Sequence, residues 1–404
     1  MLLRLAWRNL WRNKNRTFIT MASVSFAVIL SVLIQSLQSG VFDNLINNVV
    51  GYYSSYLQVH AKGYFEEQTL EKVLTVDQKL LEEIRQHPNI IQASPRIETY
   101  VLASGNQTTK GCLVTGVVPQ AEKDLIQLDK RVTKGHYLAP NDNGVLIGED
   151  LAIKLQLHVL DTVILLGQGF QGITAAGKYP VRGLLHFGSP DLNKRVIFMS
   201  LQNCRDFLGM QKEATTVAIA IKQIAQLDHT QKELSARLGN NLEVITWEEM
   251  IPDVVEHMKT DKGSGMIISL MLYLLVSFGI FSTLLMMMAE RKFEYGMLLA
   301  IGMKKRQLAY VMTLESLFVS LAGSIVGLTI SIPIIYYLKI HPIRFTGEIA
   351  KVYEMYGFEA IFPTSMDPMI FLQQTAIIAI ISLVLSIYPV IKILTIEPVK
   401  YMKR

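Results

Sequence analysis

Half of the 404 residues are hydrophobic and only 18% are charged, with a mean hydropathy of +0.30, a balance that excludes an ordinary soluble domain and points to a membrane protein. The net charge of +5 gathers beside apolar runs, so it reads as a topology signal and gives no ground for a nucleic-acid partner.

In chain order, residues 1–16 place Leu3, Trp7, Leu10 and Trp11 on one helical stripe and Arg4, Arg8 and Arg12 on another. That pattern suits a cytoplasmic amphipathic N-terminal helix lying in the headgroup plane, and equally a positive flank with two interfacial tryptophans. Residues 17–42 carry no charged side chain, and neither do 263–289, 316–338 and 368–391; each run has the ~20 residues an apolar helix needs to cross a bilayer. The first run exceeds the ~7–15 residues of a signal h-region and is not closed by a small-x-small site, so it is expected to remain as an anchor.

The expected organisation is therefore an α-helical membrane protein with four transmembrane helices plus a large α/β extracytoplasmic domain, of two lobes, between helices 1 and 2. Its segments are the N-terminal helix 1–16, helix 1 at 17–42, the α/β domain at 43–262, and helix 2 at 263–289. An amphipathic cytoplasmic helix at 290–307, helix 3 at 308–338, a short outer loop at 339–367, helix 4 at 368–391 and a tail at 392–404 follow. Orientation follows Lys and Arg: Arg4, Arg8, Arg12, Lys14 and Arg16, then Arg291, Lys292, Lys304, Lys305 and Arg306, then Lys392, Lys400, Lys403 and Arg404 put both termini and the 290–307 segment in the cytoplasm.

Within the outer domain, strand-like runs fall at 56–60, 97–103, 111–118, 161–166, 180–186, 195–199 and 214–222. Helical segments fall near 120–128, 200–208, 223–237 and 247–259. Thr75-Val-Asp-Gln78 reads as a capping box, and the turn-rich stretch from Tyr137 to Gly144 as the lobe boundary.

Few motifs carry chemistry. Gly172 to Tyr179 approaches a phosphate-binding loop, but Tyr179 stands where Ser or Thr would hold magnesium and a strand follows, so a glycine-rich hairpin is expected. The histidines are dispersed without metal-ligand spacing, and no nucleophile elbow occurs. Cys112 and Cys204 both fall in the outer domain, where either a disulfide or two unpaired buried thiols fits.

The most informative stretch is AERKFEYGMLLAIGMKKRQ, residues 289–307, where Phe293, Met297 and Ile301 recur every fourth residue outside the apolar runs. With Leu298 they form an apolar face edged by Glu290, Arg291 and Glu294 and stopped at Gly302, suited to a groove on another protein or to the membrane interface.

This run, followed by Leu314-Glu315-Ser316 and by Ala322 to Gly327, resembles the core motif of FtsX-like ABC transporter permeases. Ala6-Trp-Arg-Asn-Leu-Trp-Arg-Asn13 and the stretches at Tyr388 and Glu397 to Lys400 resemble that family's ends. Residues 51–64 and the layout of one helix, a large outer domain and three helices are similar to its lipoprotein-releasing (LolC/LolE-type) subgroup. The resemblance implies a coupling helix that docks on a separate ATPase, with coupling residues Glu290, Arg291, Phe293, Glu294, Gly296, Met297, Ala300, Ile301 and Gly302.

Glu315 is the only charge between Gln307 and Leu338, which suits either a structural tether beside the coupling helix or a substrate or proton site. Ser316, Ser320, Gly323 and Gly327 form a small-residue stripe for packing within one subunit or across a dimer. Met286 to Met288 fit either a soft acyl-chain surface or gap filling.

The function implied is that of an inner-membrane permease subunit without catalytic motifs or a cofactor of its own, ATP and magnesium being bound by two copies of a cytoplasmic ABC ATPase. A second permease, identical or homologous, membrane lipids and a lipoprotein or amphipathic substrate complete the expected partners. The alternatives are a MacB-like exporter of peptides or drugs, and a non-transporting regulator of a cell-wall hydrolase.

Overall fold

Four helices in the computed structural model are long and apolar enough to cross a membrane: Thr17–Asn44, Pro252–Glu290, Lys305–Ile340 and Pro368–Leu394. The structure describes residues 2–12, 14–46, 50, 54–106, 108–140, 142–355 and 359–395. Residues Asn13, Asn141, 51–53 and 397–400, which carry parts of the motifs above, lie outside them.

One compact unit comprises Met1–Asp43, His257–Ile343 and Ile361–Arg404. Here the second spanning helix shows an unbroken row of exposed apolar side chains, including Met266, Ile267, Leu270, Leu274 and Phe278, a surface that lipid satisfies and water does not. It is one helix from Pro252 to Glu290, 39 residues or ~58 Å at 1.5 Å per residue, so it exceeds the ~30 Å hydrocarbon layer. The sequence pattern divided it because its first turns are charged.

Small residues set the packing of the first spanning helix on the third. A Cβ added at Gly323 would stand 2.8 Å from the Val24 Cβ, and one at Gly327 would stand 2.8 Å from the Ser25 carbonyl oxygen. The backbones meet so closely that the Ser25 hydroxyl donates to the Gly323 carbonyl at 2.8 Å. Third and fourth helices are joined by Ser316 and Ser382, hydroxyl to hydroxyl at 2.8 Å.

The second unit comprises Asn44–Glu256 and Arg344–Ala360. Its strands are β1 Leu57–Ala61, β2 Leu74–Thr75, β3 Ile90–Ser104, β4 Thr109–Val117, β5 Val132–Gly135, β6 Val145–Gly148, β7 Thr162–Gln168, β8 Thr174–Leu185, β9 Val196–Ser200, β10 Glu213–Ala214, β11 Thr216–Ile221 and β12 Leu242–Thr246. The pairings β3–β4, β4–β9, β9–β6, β6–β8, β8–β7 and β7–β3 return to their starting strand, so this part of the sheet closes on itself. Closure removes the open edges that a six-stranded sheet would otherwise expose. Val101, Val114, Val145, Ile147, Val163 and Ile197 are buried in its core.

Two lobes meet along β3. Its first half pairs with β11, ending at Thr216↔Arg96, and its second half pairs with β4, beginning at Ile97↔Gly116. The lobe boundary is therefore at Arg96 to Ile97 and at the return through β10, not near Tyr137 to Gly144, which lies inside the closed lobe between β5 and β6. At that boundary Arg96 and Glu122, both fully buried, pair at 2.7 and 2.9 Å and hold the helix Pro119–Ile126 against β3.

Two local readings change. The helix Gln78–Arg85 is capped by Asp77, whose side chain accepts from the Leu80 amide, in place of Thr75, which belongs to β2. Gly172 to Lys178 forms the β7–β8 hairpin connection and the start of β8, with no helix after Lys178 to present amides to a phosphate. Within the 339–367 segment a helix runs Glu348–Met355.

Candidate functional site

The second spanning helix breaks at Arg291 (φ −95°, ψ 11°) and restarts as a short helix, Lys292–Ala300. The short helix ends in a Schellman motif: Gly302 N donates to the Leu299 carbonyl at 3.1 Å and Met303 N to the Leu298 carbonyl at 3.0 Å. Gly302 has φ +104°, a left-handed conformation that a Cβ would strain.

This short helix has two apolar faces. Tyr295 and Gly296 are buried, and Leu298 and Leu299 pack partly buried on Leu308, Ala309, Met312 and Ile393. Phe293, Met297 and Ile301 are 51%, 42% and 80% exposed, and Ala300 and Gly302 are exposed beside them. Leu298, expected on the outward face, turns inward because each helical step rotates the side chain by ~100° from its neighbour. Arg291 and Gly296 also face inward, while Glu290 is exposed and Glu294 half-exposed at the rim.

Arg291 holds the segment in place. Its guanidinium donates to both carboxylate oxygens of Glu315, at 3.1 and 2.9 Å, and to the backbone carbonyl of Asn9 at 3.1 Å. The Asn9 side-chain amide donates to the same carboxylate at 2.5 Å. On the surface, Arg12 pairs with Glu294. Thus the N-terminal helix Leu2–Arg12, the short helix and the third spanning helix are wired together by charge. Glu315 is satisfied within the protein, the condition for an acid in this setting.

Of the stripe residues, Gly323 and Gly327 receive the first spanning helix, Ser316 binds Ser382, and Ser320 donates to the Leu317 carbonyl at 3.0 Å. The sequence pattern gave Arg12 a place on the basic stripe but not its pairing with Glu294, and it gave Asn9 no role. The available signal was a polar Asn9 between Ala6 and Leu10, the two residues the N-terminal helix buries.

Residues 17–237, more than half of the chain, match the MacB-like periplasmic core domain, and residues 266–398 match the FtsX-like permease C-terminal family. The chain belongs to the FtsX-like permease family. It is 22% identical over 329 residues to the lipoprotein-releasing system transmembrane protein LolC of Xylella fastidiosa (strain 9a5c), covering 78% of each chain. It is 26% identical over 265 residues to an uncharacterized ABC transporter permease protein, Rv0987, of Mycobacterium tuberculosis, covering 64% of this chain and 30% of that one. The crystal structure of the periplasmic region of MacB from Actinobacillus actinomycetemcomitans aligns with 11% identity and a TM-score of 0.37, covering 51% of this chain and 94% of that one.

As an FtsX-like permease the chain is an ABC transporter subunit of a non-catalytic kind. Among the described residues no group of three or more His, Cys, Asp or Glu is placed to hold a metal ion. Cys112 and Cys204 are free and buried in the core of the closed lobe.

Proposed function

We propose that this permease couples ATP hydrolysis by a separate cytoplasmic ABC ATPase to the release of lipoproteins, or of other lipid-anchored substrates, from the outer leaflet of the inner membrane. The observation that carries the reading is the outward Phe293, Met297 and Ile301 face, apolar and exposed on a helix whose opposite face is already packed. Such a face offers hydrophobic anchors at helical spacing to a groove in a partner. The similarity to LolC supports the substrate class, and the distribution of Lys and Arg supports placing both termini in the cytoplasm and the large domain in the periplasm.

In this mechanism two ATPase copies, which bind ATP and magnesium, seat the short helices of two permeases, identical or homologous. Glu290 and Glu294 form the polar rim, and Gly302 ends the docking helix. The Arg291, Glu315 and Asn9 network carries the displacement into the N-terminal helix and the third spanning helix. Nucleotide can shift the permease only if the ATPase states hold this helix with different affinity.

The test is co-purification from mild detergent of the ABC ATPase that accompanies the unaltered chain, together with identification of acylated cargo. Met297→Ala/Ile301→Ala removes anchors worth on the order of 2–5 kcal/mol each when fully seated. The double variant is expected to insert normally and lose the ATPase. Retention of a coupled ATPase by that variant would overturn the reading, and efflux of a soluble peptide or drug with no acylated cargo would move it to the exporter alternative.

A further inference from the structure

The N-terminal helix Leu2–Arg12 is committed on one side only. Ala6 and Leu10 are buried, Ala6 packing on Val311 and Leu314, and Asn9 and Arg12 reach the charge network. The other side shows Trp7 and Trp11, 51% and 46% exposed, and the exposed Arg4 and Arg8.

Two features give that side a chemical identity. The Trp11 ring packs edge-on against Phe18 at 6.4 Å, and Phe18 and Ile19 are exposed on the first spanning helix, so the indoles continue its apolar surface. Arg4 and Arg8, one turn apart, have no ion-pair partner among the described residues, whereas Arg12 and Arg291 are both paired. Arg4, Trp7, Arg8 and Trp11 lie together on one open surface of this helix. Indoles level with an apolar belt, and unpaired guanidinium groups just beyond it, match the acyl boundary and the phosphate layer of a lipid leaflet.

We propose that this face is a binding site for anionic phospholipid, with Arg4 and Arg8 on the headgroup phosphate and Trp7 and Trp11 at the acyl boundary. A zwitterionic headgroup carries its own cation and leaves the two guanidinium groups less well neutralised, so the site selects net negative charge. The same helix grips Glu294 through Arg12 and Glu315 through Asn9, so an occupied site steadies the short helix. That consequence for coupling rests on the function proposed above; the binding itself does not.

The experiment needs no ATPase. The full chain is placed in nanodiscs of phosphatidylcholine in which a fixed fraction is replaced by dibrominated phosphatidylcholine or dibrominated phosphatidylglycerol, and tryptophan quenching is read. Trp247, the third tryptophan, lies in the outer unit and supplies a constant background. The brominated anionic lipid is expected to quench several-fold more than the zwitterionic one at equal fraction. Arg4→Gln/Arg8→Gln should abolish the difference, and Arg4→Lys/Arg8→Lys should keep most of it, with melting temperature confirming the fold. Equal quenching by the two lipids in the unaltered chain overturns the site. So does a preference that survives the glutamine pair, and so does absence of quenching by either lipid, which would mean protein covers this face.

Discussion

Arg291 and Glu315 are joined by two hydrogen bonds, at 2.9 and 3.1 Å, with side-chain exposures of only 4% and 2%. One residue sits at the break after the second spanning helix and the other inside the third, so the pair fixes where the short helix lies relative to the bundle. A forked guanidinium can do this and a lysine cannot, because one fork holds the carboxylate while another donor reaches the Asn9 carbonyl at 3.1 Å.

Arg291→Met leaves the Glu315 carboxylate buried and unpaired, and the expected cost is about 3–5 kcal/mol. Arg291→Met/Glu315→Leu should recover most of that stability and still impair ATPase coupling, because the wiring to Asn9 is gone. Thermal melting of the detergent-purified chain, run as a double-mutant cycle, measures the first effect. With Glu315→Leu as the other single variant, a double-variant loss equal to the sum of the two single losses would show that the pair contributes no coupling energy.

The two cysteines are expected to be silent to thiol reagents. Burial pushes the Cys112 thiol up to about 12 and the Cys204 thiol up to about 12, so neither forms the reactive thiolate near neutral pH. At pH 8 a chromogenic disulfide reagent should label neither residue in the native chain and both after denaturation without reductant. Labelling only after reduction would instead indicate a disulfide.

The four spans were legible because hydropathy sums over about 20 neighbouring residues and needs no tertiary information. The short helix Lys292–Ala300 was legible too, through the recurrence of Phe293, Met297 and Ile301. Its inward face was not, since Leu298 and Gly296 acquire their partners only when the third and fourth helices fold beside them. In the outer domain the expected runs at 97–103, 111–118 and 195–199 fall on β3, β4 and β9, while β6 was missed because four residues are too few to show alternation. Closure of the circuit depends on Leu102 meeting Leu166 across more than sixty residues, which no local pattern records. Thr75 and Asp77 show the finer limit: both suit a cap, and the pairing of β2 with β10 decides which residue is free to serve.

Arg96 and Glu122 should be the most sensitive polar pair in the outer domain, because both side chains are fully buried where β3 changes partners. Glu122→Ala removes the carboxylate from a fully buried guanidinium and is expected to cost about 3–5 kcal/mol, whereas Arg96→Met/Glu122→Leu is expected to lie close to the unaltered protein. Limited proteolysis reads this as faster cleavage of the single variant alone. Indistinguishable cleavage of the single variant and the unaltered chain would mean that water reaches the pair.

The outer domain should also lose stability in mild acid through His60. Its ring is buried, stacked on Tyr64 at 5.1 Å, with Nδ1 3.1 Å from the Thr215 carbonyl and Nε2 without a hydrogen-bond partner among the described residues. Burial therefore favours the neutral ring and lowers its pKa from 6.5 to about 4, against smaller opposing effects from Thr215 and Glu243. Between those values the unfolded chain binds a proton that the folded chain refuses, so stability falls as pH drops from about 6.5 to about 4 and then levels off for this group. The size expected is roughly 3 kcal/mol at 1.36 kcal/mol per pKa unit. His60→Phe, which keeps the stacked ring and removes the titration, should flatten that part of the profile even if it shifts stability overall. The measurement is melting temperature against pH for both chains between pH 7.5 and pH 4 as roughly bracketing conditions. Parallel curves would show that His60 is protonated equally well in the folded state and that its burial does not set the acid limit.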